Sequence, residues 1–410
     1  MRSVPAACLA LVLGAAPLCA QAEFGAGFTT VLTRVNGVPG GGALTEARVV
    51  EPFAFVHATG GHGRLALHAM LDGEYWTMRG GELSLGAFGE GFVDRRHPHT
   101  VVHEVVGTVS DLARLPGLHW SLSAGKGFAP FGTDDPMVRP ALIYPANHHW
   151  SQLLERAVAV AALRGGRAAL EAGLFNGDEP ENPTQWPRWR RFGDSWAVRL
   201  TLTPSPWLEL QGSHADVTSP EDRLGAGTTH QKWSASARLE RPWKGGSLYA
   251  LAEWASNSEV EGTFVYHTLL AETQWLRGRH RPYLRIERTE RPEDERLADP
   301  FRTRRPPLEN SIVGTTRWTI LTAGYGVRVG ATRLPVRPEL VGEVAWAHVG
   351  SIGGGLFVPR QVYGRNDLLS LSVAVRMSAF GAMHRMGRYG AAEAAGSMGA
   401  MGSMDAMEHE

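Results

Sequence analysis

His97, His99 and His103 share one strand parity, and Glu104 follows them directly. Alternate side chains of an extended strand project to one side, so histidines two residues apart can share a divalent ion. His148–His149 is a second pair with less geometry behind it. Near the C-terminus Met398, Met401, Met404 and Met407 recur every third residue and His409 follows. Thioethers are soft ligands for Cu(I), so these methionines and the histidines could gather copper. Gly399, Ala400, Gly402 and Ser403 lie between the methionines, and a low-complexity chain of this kind cannot pack a core. Residues 381–410 therefore read as a disordered Met/Gly/Ala-rich tail.

Other constellations point to catalysis or to charge. Asn147, His148 and Ser151 supply the residue types of a serine nucleophile with a histidine base, and Asp134–Asp135 those of a paired carboxylate. Spacing does not set Ser151 against a base, and adjacent loop acids are ordinarily solvated. The sequence is thus read as non-enzymatic, with no catalytic residue and no cofactor. Lys126 stands between Gly125 and Gly127, where the backbone can approach closely and a point charge can meet a passing anion. Arg139 and Arg156 flank that segment, and Arg199 and Arg238 carry further positive charge on strand-like stretches.

What positions these residues follows from the pattern of the whole chain. A basic start at Arg2, an apolar stretch from Val4 to Leu18 and Ala20-Gln21-Ala22 describe an export signal spanning residues 1–22, cleaved before Glu23. Cys8 and Cys19 both fall inside it, so the mature chain is expected to have neither disulfides nor thiolate sites. Lys and Arg number 41 and Asp and Glu 41, a balance that does not suggest a nucleic-acid partner.

From there on, short stretches alternate apolar with polar residues. Trp196, Val198, Leu200 and Leu202 oppose Ser195, Ala197, Arg199 and Thr201, and the same grammar recurs at residues 64–72, 233–240, 248–254 and 369–376. Strands of about nine to eleven residues cross a tilted bilayer path, and an unpaired backbone cannot lie in lipid unless the sheet closes. Connections alternate between short ones, as at 165–166 and 204–206, and long ones, as at 73–98, 128–150, 176–193 and 289–314. That asymmetry separates a membrane barrel from a sandwich. The fold class expected is all-β: one transmembrane antiparallel β-barrel over residues 23–380, of about sixteen strands within a range of 14–18, with short periplasmic turns. Phe24–Arg34 and Val101–Val109 are its weakest members, and Thr77–Phe88 is either an extra strand or part of a loop. Trp196, Trp207, Trp243, Trp254, Trp275, Trp318 and Trp346 lie near strand ends, as tryptophans of a membrane interface do. Arg199, Arg238, Glu253, Glu272, Arg285, Glu287 and Arg376 fall on the inward parity and favour a wet lumen.

Gly125-Lys126-Gly127-Phe128-Ala129-Pro130-Phe131-Gly132 resembles the G-K-x-x-x-P-F-G signature of the phosphate-selective porin family. The stretches 133–137 and 144–149 and the hairpin end Leu174-Phe175-Asn176-Gly177 resemble porin-like proteins of the same group. The resemblance implies a passive outer-membrane channel, often trimeric and anion-favouring, whose signature loop folds toward the bore. Lys126 matches the signature's basic residue, whereas Phe128 stands where phosphate-selective members commonly carry another lysine. The implied activity is that of a general porin for small polar or anionic solutes in a diderm outer membrane. Its partners would be membrane lipids, small solutes or ions, and copies of itself in a homotrimer. The competing reading is an outer-membrane copper-handling protein that uses the histidines and the Met-rich tail.

Overall fold

The computed structural model describes residues 19–393 apart from 39–40, 79–80, 84, 86–94, 97–98, 114, 134, 181, 219–228, 295–311, 331–335 and 381–384. Sixteen antiparallel strands close into one barrel. The first eight are β1 (Cys19–Asn36), β2 (Ala43–Gly60), β3 (Leu65–Asp72), β4 (Val102–Ser110), β5 (Leu118–Gly127), β6 (Arg156–Gly165), β7 (Ala168–Phe175) and β8 (Ser195–Ser205). The second eight are β9 (Leu208–Thr218), β10 (Thr229–Trp243), β11 (Gly246–Glu259), β12 (Phe264–Leu276), β13 (His280–Asp294), β14 (Ile312–Arg328), β15 (Val336–Gly355) and β16 (Asp367–Phe380). Each strand pairs with its neighbours in sequence, and β1 pairs with β16 to seal the sheet, with Thr33 and Ser372 sharing a hydroxyl–hydroxyl bond of 2.9 Å across the seam. Closure leaves no edge strand, which is the condition for a sheet in lipid.

The period-two pattern decides which way each side chain points. On β8, Trp196, Leu200 and Leu202 are exposed while Ala197, Arg199 and Thr201 are buried. On β13, Leu284 and Ile286 face out while Arg281, Tyr283, Arg285, Glu287 and Thr289 face in. Trp196 and Trp233 ring one rim and Trp207 and Trp243 the other, all exposed. No helix among the described residues is long and apolar enough to cross a membrane. Ile286 lies near the middle of its strand and is 51% exposed. Ile286→Arg is expected to cost about 2–4 kcal/mol of barrel stability in a bilayer. Unfolding in lipid vesicles measures it, and a cost below ~1 kcal/mol would mean that this face does not meet hydrocarbon.

Both weak strands are present, and longer than the sequence indicates or shifted by one residue. The described residues of Thr77–Phe88 form no barrel strand, and β3 pairs directly with β4. A one-turn helix, Glu74–Thr77, precedes a two-residue ribbon that pairs Glu82–Leu83 with Arg95–Arg96 inside the long connection after β3. Trp318 departs from the interface expectation: it faces inward at 0% exposure, with the Arg291 guanidinium 4.5 Å from its ring and Tyr363 edge-on. Position near a strand end gives depth, but parity decides the face. β1 begins at Cys19, inside the segment read as an export signal, and from Glu23 opposite His57 the antiparallel pairing runs to Asn36 opposite Ala43. Strand pairing from Glu23 therefore persists if cleavage falls where the sequence places it.

A sixteen-strand barrel is wide enough that its own inward side chains do not fill it. Among the described residues, segments outside the barrel strands enter this one. The connection after β3 buries Met78, Leu83 and Leu85, residues 128–155 cross the bore, and residues 385–393 fold back into it after β16.

Candidate functional site

Residues 128–155 leave β5 at its long-loop end and turn into the lumen. Buried chain must satisfy every backbone group, and the barrel wall supplies the partners. Ala129 and Phe131 pack with Val158, Val160 and Phe175. Gly132 then turns with φ +70°, and a Cβ there would lie 1.5 Å from the carbonyl oxygen of Ser151. Its N–H donates to Ser213 Oγ at 3.0 Å, and its carbonyl accepts from Gln211 and from Arg199. Asp135 caps the next turn by accepting from the N–H of Met137 at 2.8 Å.

Beyond this point the segment reaches the opposite wall. Glu253 on β11 accepts from Asn147 Nδ2 at 2.6 Å, from Arg139 Nη2 at 3.2 Å and from the hydroxyl of Thr133. Glu343 on β15 accepts from the N–H of Leu142 at 2.7 Å and of Ile143 at 3.2 Å, and Glu287 on β13 from that of Ala146 at 2.8 Å. The loop's carbonyls take the wall's arginines: Arg285 donates to Ile143 O at 2.7 Å and Arg281 to Pro140 O at 3.0 Å. Trp150 lies parallel to Tyr266 with ring centroids 5.7 Å apart. Inward acids thus bind loop N–H groups and inward arginines bind loop carbonyls, so the charged wall acts first as a mount for the constriction.

The five basic residues read as selectivity candidates all lie on this interior, and each engages a specific partner. Lys126 is 2% exposed, donates to Thr100 Oγ1 and to the Val102 carbonyl, and sits beside the Glu155 carboxylate. Glu155 itself accepts from Thr100 N at 2.8 Å and lies 3.1 Å from His103 Nδ1. Burial pushes the Glu155 carboxyl up, but the Lys126 ammonium and the His103 ring outweigh burial and hold it well below the usual carboxylate range. Arg156 is bound to Leu154 O and lies 3.4 Å from Glu179. Arg199 forms a bidentate pair with Glu171, both bonds 2.6 Å, and Arg238 pairs with Glu240 at 2.8 Å. The parity that marks Arg199 and Arg238 as inward is in the sequence. Compensation of Arg199 by Glu171 and of Arg139 by Glu253 depends on pairings across strands and across the bore, whereas Glu240 lies two residues from Arg238 on the same strand.

The histidine constellation separates. His99 and His103 have ring centroids 4.9 Å apart, but His99 faces Glu74 at 3.1 Å and His103 faces Glu155. Asp72, Glu74 and His99 bring ligand-type atoms within 4.8 Å of one another. Those carboxylates also bind chain: Glu74 accepts from the N–H groups of Glu51 and His99, and Asp72 from that of Glu74. The cluster therefore ties the connection after β3 to the barrel. His97, Met398, Met401, Met404, Met407 and His409 lie outside the described residues, as does Asp134. Among the described residues the copper-handling reading finds no support. The Ser151 hydroxyl donates one turn back to Asn147 O at 3.2 Å, an ordinary helical use of serine.

Sequence reasoning missed the segment Arg385–Glu393. Met386, Arg388, Tyr389, Ala391 and Ala392 are buried, so a structureless tail from residue 381 is not what these nine residues form. Glycine and alanine content argued for disorder, but the Arg-x-x-Arg spacing of Arg385 and Arg388 was the available signal. The inward glutamates Glu171 and Glu209 were its complement.

No family model matches the chain and no curated protein does. Solved structures do match. An outer membrane protein of Vibrio cholerae, OmpT lacking loop L8, is 8% identical, covers 87% of this chain and 99% of its own, and has a TM-score of 0.50. The two chains share one fold, a closed antiparallel β-barrel. The anion-selective porin from Comamonas acidovorans is 13% identical with coverages of 88% and 99% and a TM-score of 0.49. OccK2 of Pseudomonas aeruginosa is 12% identical with coverages of 88% and 99% and a TM-score of 0.41. The shared fold covers 87% of this chain.

Proposed function

We propose that this protein is a general porin of a diderm outer membrane, exported by a cleaved signal and passing small polar solutes by diffusion. One observation carries the reading: a closed sixteen-strand barrel, apolar outside, has inward arginines and glutamates that pin a loop across its bore. Such a constriction sorts solutes by size and by the field of its lining groups. The anion preference expected of Lys126, Arg139, Arg156, Arg199 and Arg238 is weak in this proposal, because carboxylates stand beside those cations. A homotrimer, as the family resemblance implies, belongs to the same proposal, and no reaction does.

Planar-bilayer recording of the folded protein under a salt gradient tests it. Discrete conductance steps with a small reversal potential are expected. A reversal potential near the ideal anion limit would restore a strong phosphate-type filter, and absence of any conductance with or without residues 381–410 would remove the channel reading.

A further inference from the structure

The segment Arg385–Glu393 is held by a set of groups that function as a channel does not require. Glu209 on β9 receives both nitrogens of Arg385, at 2.8 and 2.9 Å. Arg388 donates to Thr201 Oγ1 at 2.7 Å, Glu209 Oε1 at 3.0 Å and Gln211 Oε1 at 2.5 Å, and lies 3.7 Å from Glu171. Two acids, an amide oxygen and a hydroxyl on three adjacent strands thus meet two planar cations in fork geometry, which lysine could not reproduce.

The rest of the segment is fitted as closely. Arg199 donates to Gly387 O at 2.5 Å, so one guanidinium holds the wall acid Glu171, the crossing loop at Gly132 and this segment. Tyr389 donates to Glu104 and accepts from the N–H of Phe128 at 2.9 Å. Gly127 of the signature motif leaves the space that Tyr389 occupies: a Cβ there would stand 2.4 Å from the phenol oxygen. The Ala391 N–H donates to Ser121 Oγ at 2.9 Å. Between the segment and the wall at His57, His68 and Thr108 the remaining cavity is about 20 Å³, room for a single water. Because β16 ends where the short turns lie, the segment rises from that end and meets the crossing loop from below.

We propose that Glu171, Thr201, Glu209 and Gln211 form a guanidinium-binding site on the lumen wall. The chain's own Arg385–Glu393 occupies that site as a resident plug, and solutes carrying guanidinium groups are the ligands it takes when the plug is withdrawn. The inference goes beyond the porin reading in naming a ligand class, and it rests on that reading only where it speaks of conduction. A tethered plug competes with free ligand at a millimolar or higher effective concentration, so a single arginine displaces it poorly and a two-arginine ligand displaces it better.

The test uses the barrel ended after Phe380 together with a fluorescent peptide of residues 385–393, measured by anisotropy in detergent and by conductance in bilayers. Truncation is expected to raise unit conductance at least twofold. The peptide is expected to bind the truncated barrel and return conductance toward the full-length value when added from the short-turn side. A peptide with both arginines replaced by glutamine should bind at least tenfold more weakly. Full-length protein carrying Arg385→Gln and Arg388→Gln provides the same opening without truncation, should the shortened chain not fold. Measurable but equal conductance of full-length, truncated and double-substituted protein, or equal binding of arginine and glutamine peptides, would overturn the proposal. Peptide binding without conductance in any form would uphold the site while removing the porin reading.

Discussion

Gly132→Val is expected to expel residues 128–155 from the bore, or to prevent a folded barrel from accumulating at all. Two effects combine at this position. The backbone holds φ +70°, a region in which a β-branched residue is strained by about 1–2 kcal/mol. The larger effect is collision: the added Cβ would stand 1.5 Å from Ser151 O and 2.6 Å from its carbonyl carbon, and both obstacles are backbone. A side chain could rotate away; a peptide carbonyl can move only with its segment. Gly132 also binds Ser213, Gln211 and Arg199, so displacing it releases the near-wall anchor of the loop. The expected destabilisation of the docked loop exceeds ~4 kcal/mol, in the range reserved for such overlaps. Chymotrypsin added to the folded protein should cut rapidly after Trp150, which is buried in the wild type, and unit conductance should rise and become noisy. Gly193→Ala is the control, since Gly193 has φ +91° but open space around its missing Cβ, and it should leave both readouts unchanged. Wild-type protection and conductance in Gly132→Val would show that the loop does not close through this turn.

The barrel was legible because its information is local. A strand that alternates Trp196, Val198, Leu200 and Leu202 with polar residues declares two faces within ten residues, whatever its neighbours are. Long connections at 73–98, 128–150 and 176–193 declare themselves by Gly, Pro and charge. What fills the lumen was not legible in the same way. Arg139 meets Glu253 and Arg388 meets Glu209 across 114 and 179 residues of chain, and nothing near either partner announces the other. Lys126 illustrates the consequence. Its place in a glycine-flanked motif is visible, but its bonds to Thr100 and Val102 arise only when β5 pairs with β4 and the end of the connection after β3 folds beside it. Trp318 shows a second limit, since an aromatic at a strand end suits either a lipid boundary or an interior stack on Arg291. The glycine-rich tail shows a third. Composition lowers the propensity of a free chain to order, but a preformed wall with two acids supplies what the segment lacks.

Glu253→Leu is expected to be the most damaging single change on the far wall, because three loop residues share that one carboxylate. Removing it takes the acceptor from Asn147 Nδ2, Thr133 Oγ1 and Arg139, all buried. Arg139 then lies 4.0 Å from Glu272, which Arg285 and the Tyr249 hydroxyl already engage. Breaking one side of a buried ion pair costs about 3–5 kcal/mol, most of it the cost of a cation left in a dry place. The consequence is undocking of the loop rather than loss of the barrel, since the sheet's hydrogen bonds do not pass through Glu253's side chain. Chymotrypsin should therefore cut at Trp150 while the thermal unfolding midpoint of the barrel in detergent stays at the wild-type value. Arg139→Met by itself should cost less than Glu253→Leu, because Asn147 and Thr133 retain their acceptor. The combined Arg139→Met, Glu253→Leu protein should recover part of the loss, as removing both ions of a buried pair often does. The coupling between the two changes is expected to lie at ~1–3 kcal/mol. Strict additivity, within about 0.5 kcal/mol, would mean that Arg139 and Glu253 are neighbours without being partners, and the charged wall would then be a lining of the bore and not the mount of its constriction.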